Sequence, residues 1–445
     1  MAHTLRERAD GLVLEPGDDG YDEARTVWNA MIDRRPRVIV RCATSHDVSE
    51  AVRYAAANDL PIGVRCGGHA ISGHAVPEDG VMIDLRPMST VTVDPVARRA
   101  RAQGGALLGT LDRAAQAHGL ATTAGNVSHT GVGGLTLGGG MGWLARRLGL
   151  ACDNVTSFEL VTASGEVLRA DAGHHPDLFW ALRGGGGNFG VVTEFEFDLS
   201  PEPGAALSAE FRLAADADAA ATAMRRWRDL GVGVDRRATW NATIDGPNLS
   251  LGFVWVGDPV DGTALADRLD RQLSATGVQL ERVVQPLTYL ELQTREDDVE
   301  GHAWRRYWKG HYFTELGDSV IDAILARDAA DLPNVSLQAY GGAIADVAAA
   351  DTAFARRRTA YEFVAARKWE DPADDERFMA AARRYASTLD QYADGAYVNA
   401  LSDDGAPGVR RAYPEPHLTR LSEIKRTYDP ANRFHLNHNI APATG

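Results

Sequence analysis

The sequence predicts an α+β protein of two unlike domains, the first rich in glycine loops and the second an antiparallel sheet covered by helices. Three observations predict it. At 445 residues the chain exceeds what one ordinary core organises. Up to about residue 203, strand-like and helix-like periodicities alternate with glycine clusters. Beyond that point glycine thins out, and amphipathic helical segments separate strand-like runs.

Taken in order, "RVIVRC" is β-branched and strand-like, "HDVSEAVRYAAAND" has helical spacing with Ser45 as its N-cap, and "LPIGVR" is strand again. This β-α-β unit delivers Gly67-Gly68-His69 onto the loop after its second strand. Strands follow at "GVMIDL", "TVTVD" and "RRARAQGG", then a helix over Leu108 to Leu120. "NVTSFELVTASGEVLRA" reads as two strands joined by the turn Ala163-Ser164-Gly165. "HPDLFWALRGGGGNFGVVTEFEFDLSP" reads as a short helix, a glycine loop and a long alternating strand. In the second region "DADAAATAMRRWRDL", "PVDGTALADRLDRQLSATG" and "SVIDAILARDA" are helical, with strands at "ATWNATID", "LSLGFVWVG" and "VSLQAYGGAIADV". The tail is a helix stopped at Asp429-Pro430, then an extended segment.

The bulk properties exclude several functions. A net charge of -15 opposes nucleic-acid or anionic-membrane partners, which need basic surface. Cys42, Cys66 and Cys152 lack C-x-x-C spacing, so neither a disulfide framework nor a zinc site is expected, and no metal is assigned. The first 20 residues carry no apolar leader, and no run approaches membrane-spanning length. The expectation is a soluble, reduced, cytoplasmic protein whose oligomeric state stays open.

Glycine concentrates in three places: Gly67-Gly68, Gly131 to Gly142 ("GVGGLTLGGGMG") and Gly184 to Gly187. Such loops let backbone amides approach a ligand and form anion-holding nests, and three of them suit a large ligand with a diphosphate. No loop ends in Lys-Ser/Thr, which excludes a nucleoside-triphosphate P-loop, and "GGGMGW" fits a dinucleotide-binding strand-turn-helix poorly.

"VRCGGHAISG", "GVGGLTLGGGMGWLARRLGLACDNV", "LFWALRGGGGNFGVVTEFEF" and "YDPANRFHLNHNI" together resemble the FAD-linked oxidases of the berberine-bridge-enzyme-like group, within the vanillyl-alcohol oxidase/para-cresol methylhydroxylase (PCMH) superfamily. The resemblance implies a PCMH-type two-subdomain FAD-binding domain over 1–203, a substrate-binding domain over 204–390, and a C-terminal segment, 391–445, returning to the FAD domain. It also implies that His69, in R-x-G-G-H, bonds covalently to the flavin 8α carbon. Where many members add a second tether from cysteine, "GNVSHTGVGGL" has Val127, so a flavin held through one histidine is expected. Position by position, the resemblance assigns the backbone amides of Cys66, Gly67, Gly68, His69 and Ala70, with Gly73 and His74, to the diphosphate, and counts Arg65 among the cofactor-binding residues. Thr130, Gly131, Gly134, Gly138, Gly139, Gly140 and Gly142 fall to the adenosine and ring edge, helped by Asn154 and Val192. Asn437 and Asn439 reach back from the tail as polar donors to the ring.

The family's chemistry is hydride transfer from a substrate C–H bond to flavin, followed by reoxidation by O2 to give H2O2. The resemblance puts Tyr397 and Asn399 in its Y-x-N segment, where tyrosine serves as base, and Gln338 and Tyr340 on the segment facing the flavin. Some sugar oxidases carry an acid where this chain has Gln338, which leaves room for amine as well as alcohol oxidation. Trp304, Tyr307, Trp308, His311 and Tyr312 form an aromatic block suited to a core or to a cavity for a ring-containing substrate. Thr130 stands where family oxidases often carry a small residue that admits O2. The alternatives are a flavin dehydrogenase with another electron acceptor and a catalytically decayed flavin-binding protein.

Overall fold

The computed structural model describes residues 3–202, 204–214, 217–297, 304–327 and 331–444. The β-branched runs Val38–Arg41, Val81–Asp84 and Ile62–Arg65 lie parallel in that spatial order, with Leu12–Leu14 antiparallel at one edge. Their near-continuous burial is what strands covered on both faces require. The helix Ser45–Ala57 connects the first two in sequence, but its cap is Thr44, and Ser45 is already helical. The Thr44 hydroxyl accepts from the Asp47 N–H while the Asp47 carboxylate accepts from the Thr44 N–H, and this reciprocal pair fixes the start.

A five-stranded antiparallel sheet follows, in the order Val91–Asp94, Arg99–Gln103, Val191–Asp198, Val155–Val161, Val167–Asp171. The helix from Leu108 ends at Gln116, short of Leu120, because Gly119 takes a left-handed φ of 64° and turns the chain. Leu120–Ala121 instead pairs with Ser200–Pro201.

The expected boundary residue, Pro203, lies outside the described residues, as do Asp216, Asp328 and Ala329 at the ends of expected helical segments. From Ala205 the chain builds a seven-stranded antiparallel sheet, ordered Leu280–Thr288, Ala205–Ala214, Asn248–Val256, Ala238–Asp245, Asn334–Ala339, Tyr361–Trp369, Arg305–Phe313. The run expected as one strand from Val335 stops at Ala339, since Gly341 and Gly342 both take positive φ, and a helical turn, Ala343–Asp346, replaces the rest. One face of the sheet carries Phe211, Trp240, Leu251, Phe253, Leu337 and Phe363 against the helices Ala217–Gly231, Pro259–Ser274 and Asp318–Leu325. The opposite face packs on the N-terminal region, where Val254 and Val256 meet Trp143 and Leu144.

The tail helix, Glu415–Tyr428, ends at Asp429 as its sequence predicts. The buried Asp429 carboxylate accepts from Lys425 Nζ at 2.7 Å and from the N–H groups of Arg433 and Phe434, which turns the last segment back over the N-terminal region. Among the described residues no helix is long and apolar enough to cross a membrane.

Candidate active site

The three glycine loops and the tail meet. A Cβ on Gly131 would stand 2.4 Å from both Cys66 Sγ and the Gly67 nitrogen, so the first two loops touch backbone to backbone and only glycine fits between them. Gly186 N–H donates to the Leu137 carbonyl, which joins the third loop to the second. Asn437 Nδ2 donates to the Gly187 carbonyl, and Asn188 Oδ1 accepts from the Ile440 N–H, which joins the tail to the third. His74 and His438 close the ring, centroids 5.3 Å apart, with burial lowering His74 to about 3 and His438 to about 4. Both imidazoles are therefore neutral at physiological pH.

The His69 ring stacks on Trp28 at 4.6 Å and 15°, and the Arg306 guanidinium also lies over the Trp28 ring at 3.8 Å. His69 Nε2 is 2.7 Å from His129 Nδ1, and His69 Nδ1 is 3.3 Å from Thr130 Oγ1. Asn29 holds the stack's supports in register, donating to the Ile71 and Arg306 carbonyls and accepting from the Arg306 N–H.

Facing this loop is the polar side of the seven-stranded sheet. Cross-strand pairing places Asn241, Gln338, Glu362 and Tyr312 side by side on one rung. Asn126, from the His129 loop, donates to Gln338 Oε1 at 2.8 Å and so bridges the two regions. Tyr340 donates to Glu362 Oε2 at 2.7 Å and lies 3.2 Å from the Tyr312 hydroxyl. Glu362 is buried, and burial pushes its carboxyl up to about 7 against the smaller lowering effect of Tyr340. Tyr397 stacks on Tyr312 at 6.2 Å, and its oxygen accepts from the Gly140 N–H and from Asn399 Nδ2. Burial raises Tyr397 well beyond the ordinary tyrosine value despite those two donors.

The other residues named from the sequence fall in several settings. Gly134 opens onto free space, with nothing near its would-be Cβ, and Ala70 is exposed beside His69. Gly138, Gly139, Gly140 and Gly142 instead pack closely on Asn399, Phe354, Ala151 and Ala124, so those glycines admit protein neighbours. Arg65 is buried with its guanidinium on the Ala24 carbonyl, Cys66 Sγ contacts the Ala106 carbonyl, and Gly68 and Gly73 take positive φ. Asn154 turns its amide onto the Leu148 and Leu150 carbonyls, and Val192 sits in the hydrophobic core. Asn437 was expected to donate, but both donations go to the Gly187 and Phe434 carbonyls. The aromatic block divides by strand alternation: Trp308 and Tyr312 share the rung's face, while Tyr307 packs with Trp369 and Phe378 on the other. Trp28, His129, Asn126 and Glu362 were not singled out from the sequence, although two of them lie inside the quoted "GNVSHTGVGGL".

An FAD fits this arrangement. The abutting loops leave backbone free for close approach at Gly134, and Asn437 and Asn439 each keep a buried oxygen with no partner among the described residues, acceptors suited to a ring N–H. The comparisons agree. Residues 36–171 match the FAD binding domain family and residues 396–441 the berberine and berberine-like family. (R)-6-hydroxynicotine oxidase of Paenarthrobacter nicotinovorans is 30% identical over 458 residues, covering 97% of this chain and 97% of that one. The crystal structure of 6-hydroxy-D-nicotine oxidase from Arthrobacter nicotinovorans superposes with a TM-score of 0.85 at 28% identity, covering 100% of both chains. Physcomitrella patens BBE-like 1 shares the fold with a TM-score of 0.91 at 23% identity, again covering 100% of both. The chain belongs to the berberine-bridge-enzyme-like FAD-linked oxidoreductases.

Proposed function

We propose that this oxidoreductase holds FAD through one covalent bond from His69, removes a hydride from a C–H bond of a small alcohol or amine, and uses O2 as electron acceptor. The meeting of three glycine loops and the tail, with His69 on the first of those loops, is the observation that carries this reading. When bound, FAD supplies the two-electron acceptor, and its return to the oxidised form by O2 releases H2O2.

The chain's own groups then have definite tasks. With the proton on His69 Nε2 directed at His129 Nδ1, the lone pair resides on His69 Nδ1. Trp28 and Arg306 hold that ring in plane. Backbone amides of residues 66–70, with Gly73 and His74, hold the diphosphate. Thr130 flanks His69 and keeps an opening for O2. A second tether would need a thiolate, and burial pushes Cys66 up to about 11 and raises Cys152 well above the ordinary thiol value, so both remain thiols. Tyr397, raised by burial and accepting two hydrogen bonds, acts as a neutral phenol ordering Asn399 and Gly140. Gln338 and Tyr340 orient the substrate's reacting edge from the sheet.

A screen for H2O2 release over hydroxylated heterocycles, amines, sugars and polyketide-like alcohols tests the oxidase reading. Peroxide formed in step with substrate loss is expected. Reduction of the flavin by a substrate followed by slow reoxidation in air would overturn it in favour of a dehydrogenase.

A further inference from the structure

A buried polar atom without a partner costs about 1–3 kcal/mol, so a site that keeps several points to a ligand that completes them. Asn126 Nδ2 donates to Gln338 Oε1, but the other halves of these amides, Asn126 Oδ1 and Gln338 Nε2, are buried with no partner among the described residues. Asn241, the cross-strand neighbour of Gln338, adds an unpartnered buried Oδ1 beside them. Exchanging nitrogen and oxygen in both bonded amides preserves their mutual bond and again leaves one donor and one acceptor, so the pattern does not depend on that assignment.

The three amides carry no charge. Of the ionic groups nearby, Glu362, next to Gln338 on the rung, accepts from Tyr340 through Oε2; Asp297 accepts from Ser128 Oγ at 2.6 Å through Oδ2, its buried Oδ1 having no partner among the described residues; and Arg306 donates to the Trp28 and Trp304 carbonyls. A carboxylate would bring only acceptors to a pair that needs a donor for Asn126 Oδ1. An amidinium would bring only donors to a pair that needs an acceptor for Gln338 Nε2.

We propose that Asn126 and Gln338, with Asn241 beside them, form a specificity subsite that reads an uncharged substrate edge offering one donor and one acceptor, and rejects edges of either charge. A cis-amide meets that requirement through adjacent atoms and a hydroxyl through one oxygen. This rests on reading the polar face of the sheet opposite the His69 loop as the substrate side, and it narrows the substrates to neutral polar molecules.

Benzamide, benzoate and benzamidine have nearly one shape and differ in edge: donor with acceptor, acceptors only, donors only. Calorimetric titration of the holoenzyme with each reads the subsite without turnover. Benzamide is expected to bind at least about 10-fold more tightly than the other two, the effect of about one lost hydrogen bond at either edge. Gln338→Glu, which removes the donor and adds a charge, is expected to reverse the order in favour of benzamidine. If Gln338→Glu does not fold, Asn126→Asp carries the same expectation. Equal binding of the three compounds, no binding of benzamide, or an unchanged order in the variant would overturn the proposal. A benzyl alcohol arm separates hydroxyl from amide recognition. The yellow colour of the preparation reports separately on flavin retention, so failure of the flavin reading and failure of the subsite are distinguishable.

Discussion

His69 Nε2 and His129 Nδ1 lie 2.7 Å apart, one imidazole on each of two glycine loops that touch through Gly67 and Gly131. The hydrogen bond ties His69 Nε2 to His129 Nδ1, and Trp28 stacks on the His69 ring at 15°. His129→Phe keeps the ring's bulk and removes the bond. The expected outcome is formation of the His69 link slowed about 10-fold, followed as covalently retained flavin against time in chain expressed without FAD and then supplied with it. An unchanged rate would show that His129 does not orient His69.

Gly131 and Gly134 are three residues apart with opposite surroundings. Gly131→Ala drives a methyl to 2.4 Å from Cys66 Sγ and from the Gly67 nitrogen, while Gly134→Ala meets nothing within 4 Å. Separating the two loops is expected to cost about 1–3 kcal/mol and most of the bound FAD in Gly131→Ala. Gly134→Ala keeps its stability, and the comparison is read from melting temperature and from the ratio of flavin to protein absorbance.

Burial pushes two carboxyls up to about 7, Glu362 on the sheet rung and Asp112 under Gln293 Nε2. Both folded values lie above the unfolded ones, so between about pH 4 and 7 the folded chain holds protons that the unfolded chain has released. Stability therefore falls as pH rises through that window and levels off above it. Glu362→Gln, which still accepts from Tyr340, removes one of the two contributions. It should gain on the order of 2 kcal/mol relative to the parent at pH 8 and nothing near pH 4. Equal differences in melting temperature at the two pH values would contradict this.

Thr44→Ala removes the hydroxyl of the capping box and should lower stability by about 1 kcal/mol, measured by urea denaturation, with flavin content unchanged. A larger loss would mean that Asp47, which also accepts from the Asp10 and Ala43 N–H groups, moves with it.

The glycine-looped half was legible because its signals are local. β-Branched runs such as "RVIV" and "VMID" and the left-handed glycines mark strand ends wherever they stand. The sheet of the second half was only partly legible. Leu280–Thr288 is an edge strand with charged residues and Pro286, and Tyr361–Trp369 contains "AARK", so neither carries the alternation that strand reading needs. Ser45 and Thr44 are both competent caps, and only the position of Asp47 three residues after Thr44 decides between them. In the site, His69 was found through its motif. Glu362 had no motif, and its proximity to Gln338 is a cross-strand pairing 24 positions apart in the chain, which no local pattern encodes.

The central claim is tested most directly by the intact mass of the denatured holoprotein, with Val127 and the cysteines left as they are. A chain heavier by one FAD, with the added mass on the peptide containing His69 and absent from His69→Ala, is predicted. A bare-chain mass from yellow protein, or a flavin on any other residue, would contradict it.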